Sequence, residues 1–396
     1  MTMRDLECTS RLADPGDVRP MREESRGCPA LCVLWVSLLV PIFAGCQQQL
    51  RPIFEEQEPA IVWPPSPAQP RIRYLGEIRG EADLKPPPKP FQALGELIVG
   101  PRPQERLYGP RSVLCSEDGS IVWVADIGGR CLHRLDLEKR KYVKVQRAGD
   151  SPLLSPVGLC LGPQDSIYLC DSEAGAIYHL AGRDGSLIES LRVPEDIGRP
   201  VAVDFDPATQ ELYVVDVSNH DLKVLGMDGS LRRIIGKRGE GKGQFNFPCA
   251  IAGNGAQIWV VDAGNHRVQG LSRSGAPLVS FGQAGDASGD LALPKSVALD
   301  SDGHLYVVDA RFETVQVFDR AGRLLLAFGE EGTRRGQFWL PAGVWVDVHD
   351  RIWVCDCYNQ RLQVFQYLKA PEPQASQPNT AASPARETTR PGGTVR

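Results

Sequence analysis

The stretch IWVVDAGNHRV, Ile258 to Val268, decides the fold of this chain. It opens with an apolar β-run, closes that run with an aspartate, and enters the next strand through a short polar loop. Aspartate suits such a corner because its carboxylate accepts hydrogen bonds from the backbone N–H groups that follow it. The run recurs as VWVAD ending at Asp126, IYLCD at Asp171, LYVVD at Asp216, LYVVD at Asp309 and IWVCD at Asp356, at successive intervals of 45, 45, 46, 47 and 47 residues. A period in the forties, with several short strands per unit, predicts a propeller rather than a helical solenoid. Six copies predict six blades.

Working outward from the ruler aspartate, a proline opens the first strand of a unit at Pro110, Pro156, Pro248, Pro294 and Pro341, with Gly198 at the corresponding place in the third unit and Pro200 two positions on. A turn such as DSDGH follows, then the strand that ends in Asp, a loop, a third strand such as TVQVF, a turn such as DRAGR, and a fourth strand such as LLLAFG. Apolar alternation between turn residues predicts four antiparallel strands per unit. The sixth unit stops after its third strand, RLQVFQYL (361–368), whereas RIRYLGEI (71–78) alternates polar and apolar residues and belongs to no other blade. The expectation is therefore an all-β, six-bladed β-propeller of four-stranded antiparallel blades, closed by this N-terminal strand pairing into the last blade so that no edge stays exposed.

The loops that follow Asp262, Asp216 and Asp356, DAGNHRV, DVSNHDL and DCYNQRL, resemble the NHL repeat with its Asn-His-Leu core. The inter-blade loops GKRGEGKGQFNFP (236–248) and GEEGTRRGQFWLP (329–341) match the Gly-rich, Gln-Phe-containing approach of that family. The resemblance covers residues 71–368; blades one and two, with DIGGR and DSEAG, are placed by register alone. In blade five, Arg311-Phe312-Glu313 replaces the Asn-His loop, with Phe312 read at the His-like position.

At 396 residues, with a formal charge of −5 and no long run of one sign, the chain lacks the basic face that nucleic-acid binding demands. Cys28 to Gly45 is an uncharged, apolar run preceded by Arg22 and Arg26, and it ends in Ala44-Gly45 before Cys46. This resembles the lipobox of bacterial lipoproteins, which implies cleavage before Cys46 and lipid attachment to it. Residues 1–45 are then leader and signal peptide, with translation starting at Met1 or Met21. Residues 46–70 form a Pro-rich tether, 71–368 the propeller, and 369–396 a disordered tail low in apolar residues. An uncleaved membrane helix is the alternative reading of the apolar run. Lipoprotein processing implies a bacterial envelope location, with the outer membrane favoured because Gln47, not Asp, follows the cysteine.

Related propellers include lactonases and a lyase that hold metals in the central channel through His, Glu, Asp or Asn. Here the first strands begin RSVLC, VGLCL, VAVDF, CAIAG, KSVAL and AGVWV, without a His or Glu. No cofactor, metal or catalytic residue is expected, and Cys355 and Cys357, two apart, share one strand face. The expectation is a monomeric, non-catalytic platform for an envelope protein partner. Its candidate binding residues are Arg311, Phe312, Tyr358, His220 and His266, in loops gathered on one face, since aromatic and Arg side chains anchor interfaces. A metal-dependent lactonase- or lyase-like enzyme is the alternative.

Overall fold

Each ruler aspartate ends the second strand of a four-stranded antiparallel blade, and six blades follow one another in chain order. The computed structural model describes residues 52–369, apart from 55–57, 86–103, 192, 194–196 and 254. The leader, Cys46 and the tail from 370 lie outside the described residues. First strands begin at Pro110, Pro156, Pro200, Pro248, Pro294 and Pro341. They touch in order, and that of blade six (Pro341–Val346) touches that of blade one (Pro110–Cys115), which closes the ring. Pro200, and not Gly198, opens blade three: Pro200 pairs with Asp216, a separation matching Pro110 and Asp126 in blade one. Gly198 lies outside the ladder and donates its N–H to Asp216 Oδ2 at 2.8 Å.

The core is six interfaces between blades rather than one central mass. Successive side chains of a strand point to opposite faces, so a second strand serves both neighbours. In blade one, Val122 and Val124 pack towards blade six, whereas Trp123 and Ala125 pack towards blade two. This double duty explains why the ruler strands read as continuous apolar runs. Three residues before every ruler aspartate stands an aromatic, Trp123, Tyr168, Tyr213, Trp259, Tyr306 or Trp353, at most 1% exposed. Each fills the interface with the following blade, and burial of a ring of this size stabilises by roughly 2–3 kcal/mol. Fourth strands sit on the rim and alternate instead, as Leu231–Ile235 and Leu324–Phe328 do.

Ile72–Ile78 completes blade six, antiparallel to Arg361–Tyr367, with Ile72 opposite Tyr367 and Ile78 opposite Leu362. The strand joins the two chain ends as the alternation predicted. Part of the segment read as tether also lies on the ring. Val62–Trp63 pairs on Ile72–Ile78 as a fifth strand, and the Trp63 ring sits 5.8 Å from Phe328 and 5.7 Å from Phe365. Phe54 lies over Gly76, where a Cβ would come within 2.6 Å of its ring, and reaches Trp353 at 5.9 Å. Only glycine permits that approach. Tyr74 to Gly76 is also where the closing strand bulges.

In all six blades the ladder slips directly after the opening proline. The skipped residues are Arg111, Val157, Val201, Cys249, Lys295 and, in blade six, Ala342 with Gly343. A bulge residue is freed from pairing and its side chain re-aimed. Here the six bulges ring one end of the central channel.

Candidate functional site

The first strands enclose a channel cavity of about 260 Å³. Its lining is largely Val, Ala, Gly, Ile and Leu; the polar side chains on it are Arg111, Ser112, Ser296, Lys295 and, farther along the strands, Asp204. Asp204, the one carboxylate on the lining among the described residues, is held by Arg273 Nη1 at 3.0 Å. Among the described residues, no three His, Cys, Asp or Glu side chains converge in a metal-holding arrangement.

At the bulge end the ruler aspartates organise the loops. Each is fully buried and clips the segment that leads into its own blade's first strand. Asp126 accepts from the N–H groups of Tyr108 (2.6 Å) and Gly109 (2.9 Å), Asp171 from Leu154 and Ser155, Asp309 from Ala292 and Leu293, and Asp356 from Trp339 (2.8 Å). Each of these carboxylates except Asp262 and Asp356 also accepts backbone N–H bonds from the loop after it, as the sequence predicted. Asp262 and Asp356 take side-chain donors there instead: Asn265 and Asn359 at three residues on, Arg267 and Arg361 at five, Gln269 and Gln363 at seven.

Four residues after each ruler aspartate the backbone turns left-handed, at Arg130, Gly175, His220, His266, Glu313 and Gln360. This register corrects the reading of blade five: Glu313 occupies the histidine position and Phe312 the asparagine position. The φ angle decides it, because only one residue per loop is left-handed. The position works as a clip to the next blade. His220 Nδ1 accepts the N–H of Phe247 at 2.9 Å, His266 Nδ1 lies 3.0 Å from the Ala292 carbonyl, and a Glu313 carboxylate oxygen accepts the N–H of Leu340 at 2.5 Å. His220 is 7% exposed and His266 half-buried. Burial pushes the Glu313 carboxyl up, partly opposed by the Leu340 bond. Phe312 is half-buried and Arg311 exposed. Phe245 and Phe338 are fully buried inter-blade packing; Gly236 and Gly329 both have positive φ, and a Cβ there would come within 2.3 Å of these rings.

Tyr358 stands out, 59% exposed, with Trp339 beside it at 5.7 Å and itself 46% exposed. Its N–H donates to the Trp339 carbonyl at 3.2 Å, so the loop after the ruler and the segment before the opening proline share one face. On that face Phe247 in blade four, Leu293 in blade five, and Tyr108 and Ile127 in blade one are also exposed. These residues form an arc over four successive blades that the sequence reading, centred on the loop after the aspartate, left out apart from Tyr358. The missed signal was an apolar residue one or two places before the opening proline.

One buried cluster has catalytic residue types without catalytic geometry. His133 Nε2 lies 3.1 Å from Asp126 Oδ2 and 3.3 Å from Cys131 Sγ, so one nitrogen faces both groups. A nucleophile–base–orienter chain would need both ring nitrogens, and His133 Nδ1 is bonded to the Tyr142 hydroxyl. All three residues are fully buried, and burial pushes the Cys131 thiol up to about 12. The seven described cysteines are all unpaired.

Residues 338–365, the first three strands of blade six with their approach, match the NHL repeat. No curated protein sequence matches the chain. Among solved structures, a protein of unknown function from Bacteroides thetaiotaomicron is similar with a TM-score of 0.54 at 13% identity, over 65% of this chain and 70% of that one. A streptogramin B lyase is similar with a TM-score of 0.51 at 13% identity, over 66% of this chain and 94% of the lyase. An auxiliary nutrient binding protein from Bacteroides thetaiotaomicron has a TM-score of 0.50 at 12% identity, over 66% and 69%. At these identities the likeness is one of fold. The ruler repeat, the six closed blades and the match in the last of them lead to one conclusion: the chain is a six-bladed β-propeller whose last blade carries an NHL repeat.

Proposed function

We propose that this propeller is a non-catalytic protein-binding platform outside the cytoplasm, held at the bacterial envelope by lipid on Cys46. The observation that carries the binding reading is the arc of Phe247, Leu293, Trp339, Tyr358, Tyr108 and Ile127, exposed on one face of four successive blades. Aromatic side chains left in water at the end of rigid strands are the type that anchors an interface. What favours this over a lyase- or lactonase-like activity is the channel lining, whose single described carboxylate is already held by an arginine. Envelope location rests on the Ala44-Gly45-Cys46 signal alone.

The test is paired. Trp339→Ala with Tyr358→Ala is expected to change unfolding free energy by under about 1 kcal/mol while reducing crosslinking to the envelope partner severalfold; Arg311→Ala with Phe312→Ala is the companion at the neighbouring blade. Unchanged crosslinking in both double variants would overturn the platform reading of this face. For the anchor, Cys46→Ser is expected to abolish acylation and release the protein from membranes; retention with a full-length leader would show an uncleaved helix instead.

A further inference from the structure

The six bulge residues divide the channel mouth into unlike halves. In blades two, three and four the opening reads Pro-Val-Gly, Pro-Val-Ala and Pro-Cys-Ala; in blades five, six and one it reads Pro-Lys-Ser, Pro-Ala-Gly and Pro-Arg-Ser. Lys295 and Arg111 thus flank blade six, whose own bulge, Ala342 with Gly343, carries almost no side chain. Gly343 backs directly onto blade one, where a Cβ would come within 2.6 Å of the Arg111 carbonyl oxygen. What blade six supplies to the cavity lining is Val344, Trp345 and Val346.

Neither cation has a hydrogen-bond or ion-pair partner among the described residues, although both are half-buried on the cavity lining. The ruler aspartates and Glu313 at this end are occupied by N–H donors. One layer down, Ser112 and Ser296 line the same half. Ser296 Oγ accepts the N–H of Val344 at 3.2 Å, which leaves its proton free to donate. Burial pushes the Cys249 thiol up, while the charges of Arg111 and Lys295 pull it down. Blade one and blade five therefore bring their charges to bear on one atom of blade four.

We propose that the channel mouth is an oxyanion-binding site, in which Arg111, Lys295 and the hydroxyls of Ser112 and Ser296 hold a carboxylate or phosphate group within the cavity they line. Two unpaired cations beside two hydroxyl donors in a narrow, partly desolvated mouth are complementary to such a group. The site stands whether or not the surrounding face docks a protein. It does adjoin the aromatic arc, so a ligand with an apolar body and an anionic end would engage both.

The probe is inorganic phosphate, with acetate as the second arm, titrated calorimetrically into the whole protein at constant ionic strength. Saturable one-to-one binding below about 10 mM is expected, and whichever arm binds tighter identifies the preferred oxyanion. Arg111→Gln and Lys295→Gln should each weaken it about tenfold or more, whereas Arg130→Gln, an exposed cation of the same end outside the channel, should not. Phosphate should also raise the wild-type melting temperature and leave that of Lys295→Gln unmoved. If Arg111→Gln does not fold, Lys295→Gln and Ser112→Ala decide the matter. Absence of saturable binding of either anion, or equal binding by wild type and the lysine variant, would overturn the site.

Discussion

Blades four and six hold their ruler aspartates in a charged network, whereas blades one and two hold theirs with backbone N–H groups and, in blade one, a histidine. In blade four, Asp262 accepts from Arg267 Nε at 2.8 Å, and the other end of that guanidinium donates to the carbonyls of Gly241 and Gln244. In blade six, Asp356 accepts from Arg361 Nε at 2.7 Å, and Arg361 donates onward to Arg334 and Gln337 carbonyls. Gln269 and Gln363 repeat the pattern on the carbonyls of Gln244 and Gln337. The Gly-rich loops and the Asp-x-x-Asn-x-Arg-x-Gln run are thus one unit. A long loop that turns its carbonyls inward needs donors that can reach them. Blades one and two have other connections, and the Arg and Gln are absent with them. The difference teaches that the aspartate and at least one N–H donor from the segment before the first strand recur in every blade, and that the rest of the motif serves the loop.

The largest effect should come from removing Ile72–Ile78. Blade six has the full motif network, yet its Arg361 also bonds Glu77 on the closing strand at 2.6 Å. Deletion is expected to replace a single cooperative unfolding transition of the intact chain, as circular dichroism would read it, with a broad or multiphasic one. A retained single transition would show that the motif network sustains blade six without ring closure.

Next in size is Asp262→Ala, which strands Arg267, Asn265 and Gln269. Breaking a buried pair on one side costs roughly 3–5 kcal/mol, read from urea midpoints. Asp126→Ala should cost less, about 1–3 kcal/mol, because no arginine is left behind. Burial pushes the Asp126 carboxyl up, but bonds from His133 and the N–H groups of Tyr108 and Gly129 outweigh this and hold it below the usual range. A depressed carboxylate stabilises above its unfolded value, near 3.9, and the benefit is lost as pH falls through the folded value. The gap between wild type and Asp126→Ala should therefore close in acid. Equal costs for the two alanine variants at neutral pH would break the comparison.

The smallest effect is expected from Phe312→Asn, which restores the motif asparagine in a blade that keeps the glycine-opened loop and Gln316 on the Asp290 carbonyl but has Thr314 in place of the motif arginine. With Asp309 already satisfied by the N–H groups of Ala292, Leu293, Arg311 and Phe312, the change in stability should stay within about 0.5 kcal/mol. A clear stabilisation would mean that the asparagine matters independently of the arginine.

Most of the architecture could be read from local pattern. The ruler aspartate marks a corner through hydrogen bonds to its own loop, the apolar run records burial on both faces, and the unpaired alternation of residues 71–78 matches the strand that blade six lacks. Legibility failed where a single residue's backbone angle set the register. His220 and His266 looked like loop-face side chains, but a left-handed residue at that corner points to the next blade, and Glu313 rather than Phe312 does so in blade five. Trp63 read as tether because nothing in a Pro-rich segment says that Phe328 and Phe365 lie within reach of its ring.

The sequence by itself determined the blade, its copy number and the way the ring closes, because each follows from strand alternation, turn chemistry and a fixed period, all local to some fifty residues. Tertiary structure alone decided which side chains share the channel mouth and which lie open on the face around it. Arg111 and Lys295 are four blades apart along the chain and come to line one cavity only when blade six meets blade one. Juxtapositions of that kind are set by ring closure and by bulges that re-aim one side chain per blade, neither of which leaves a periodic trace in the chain.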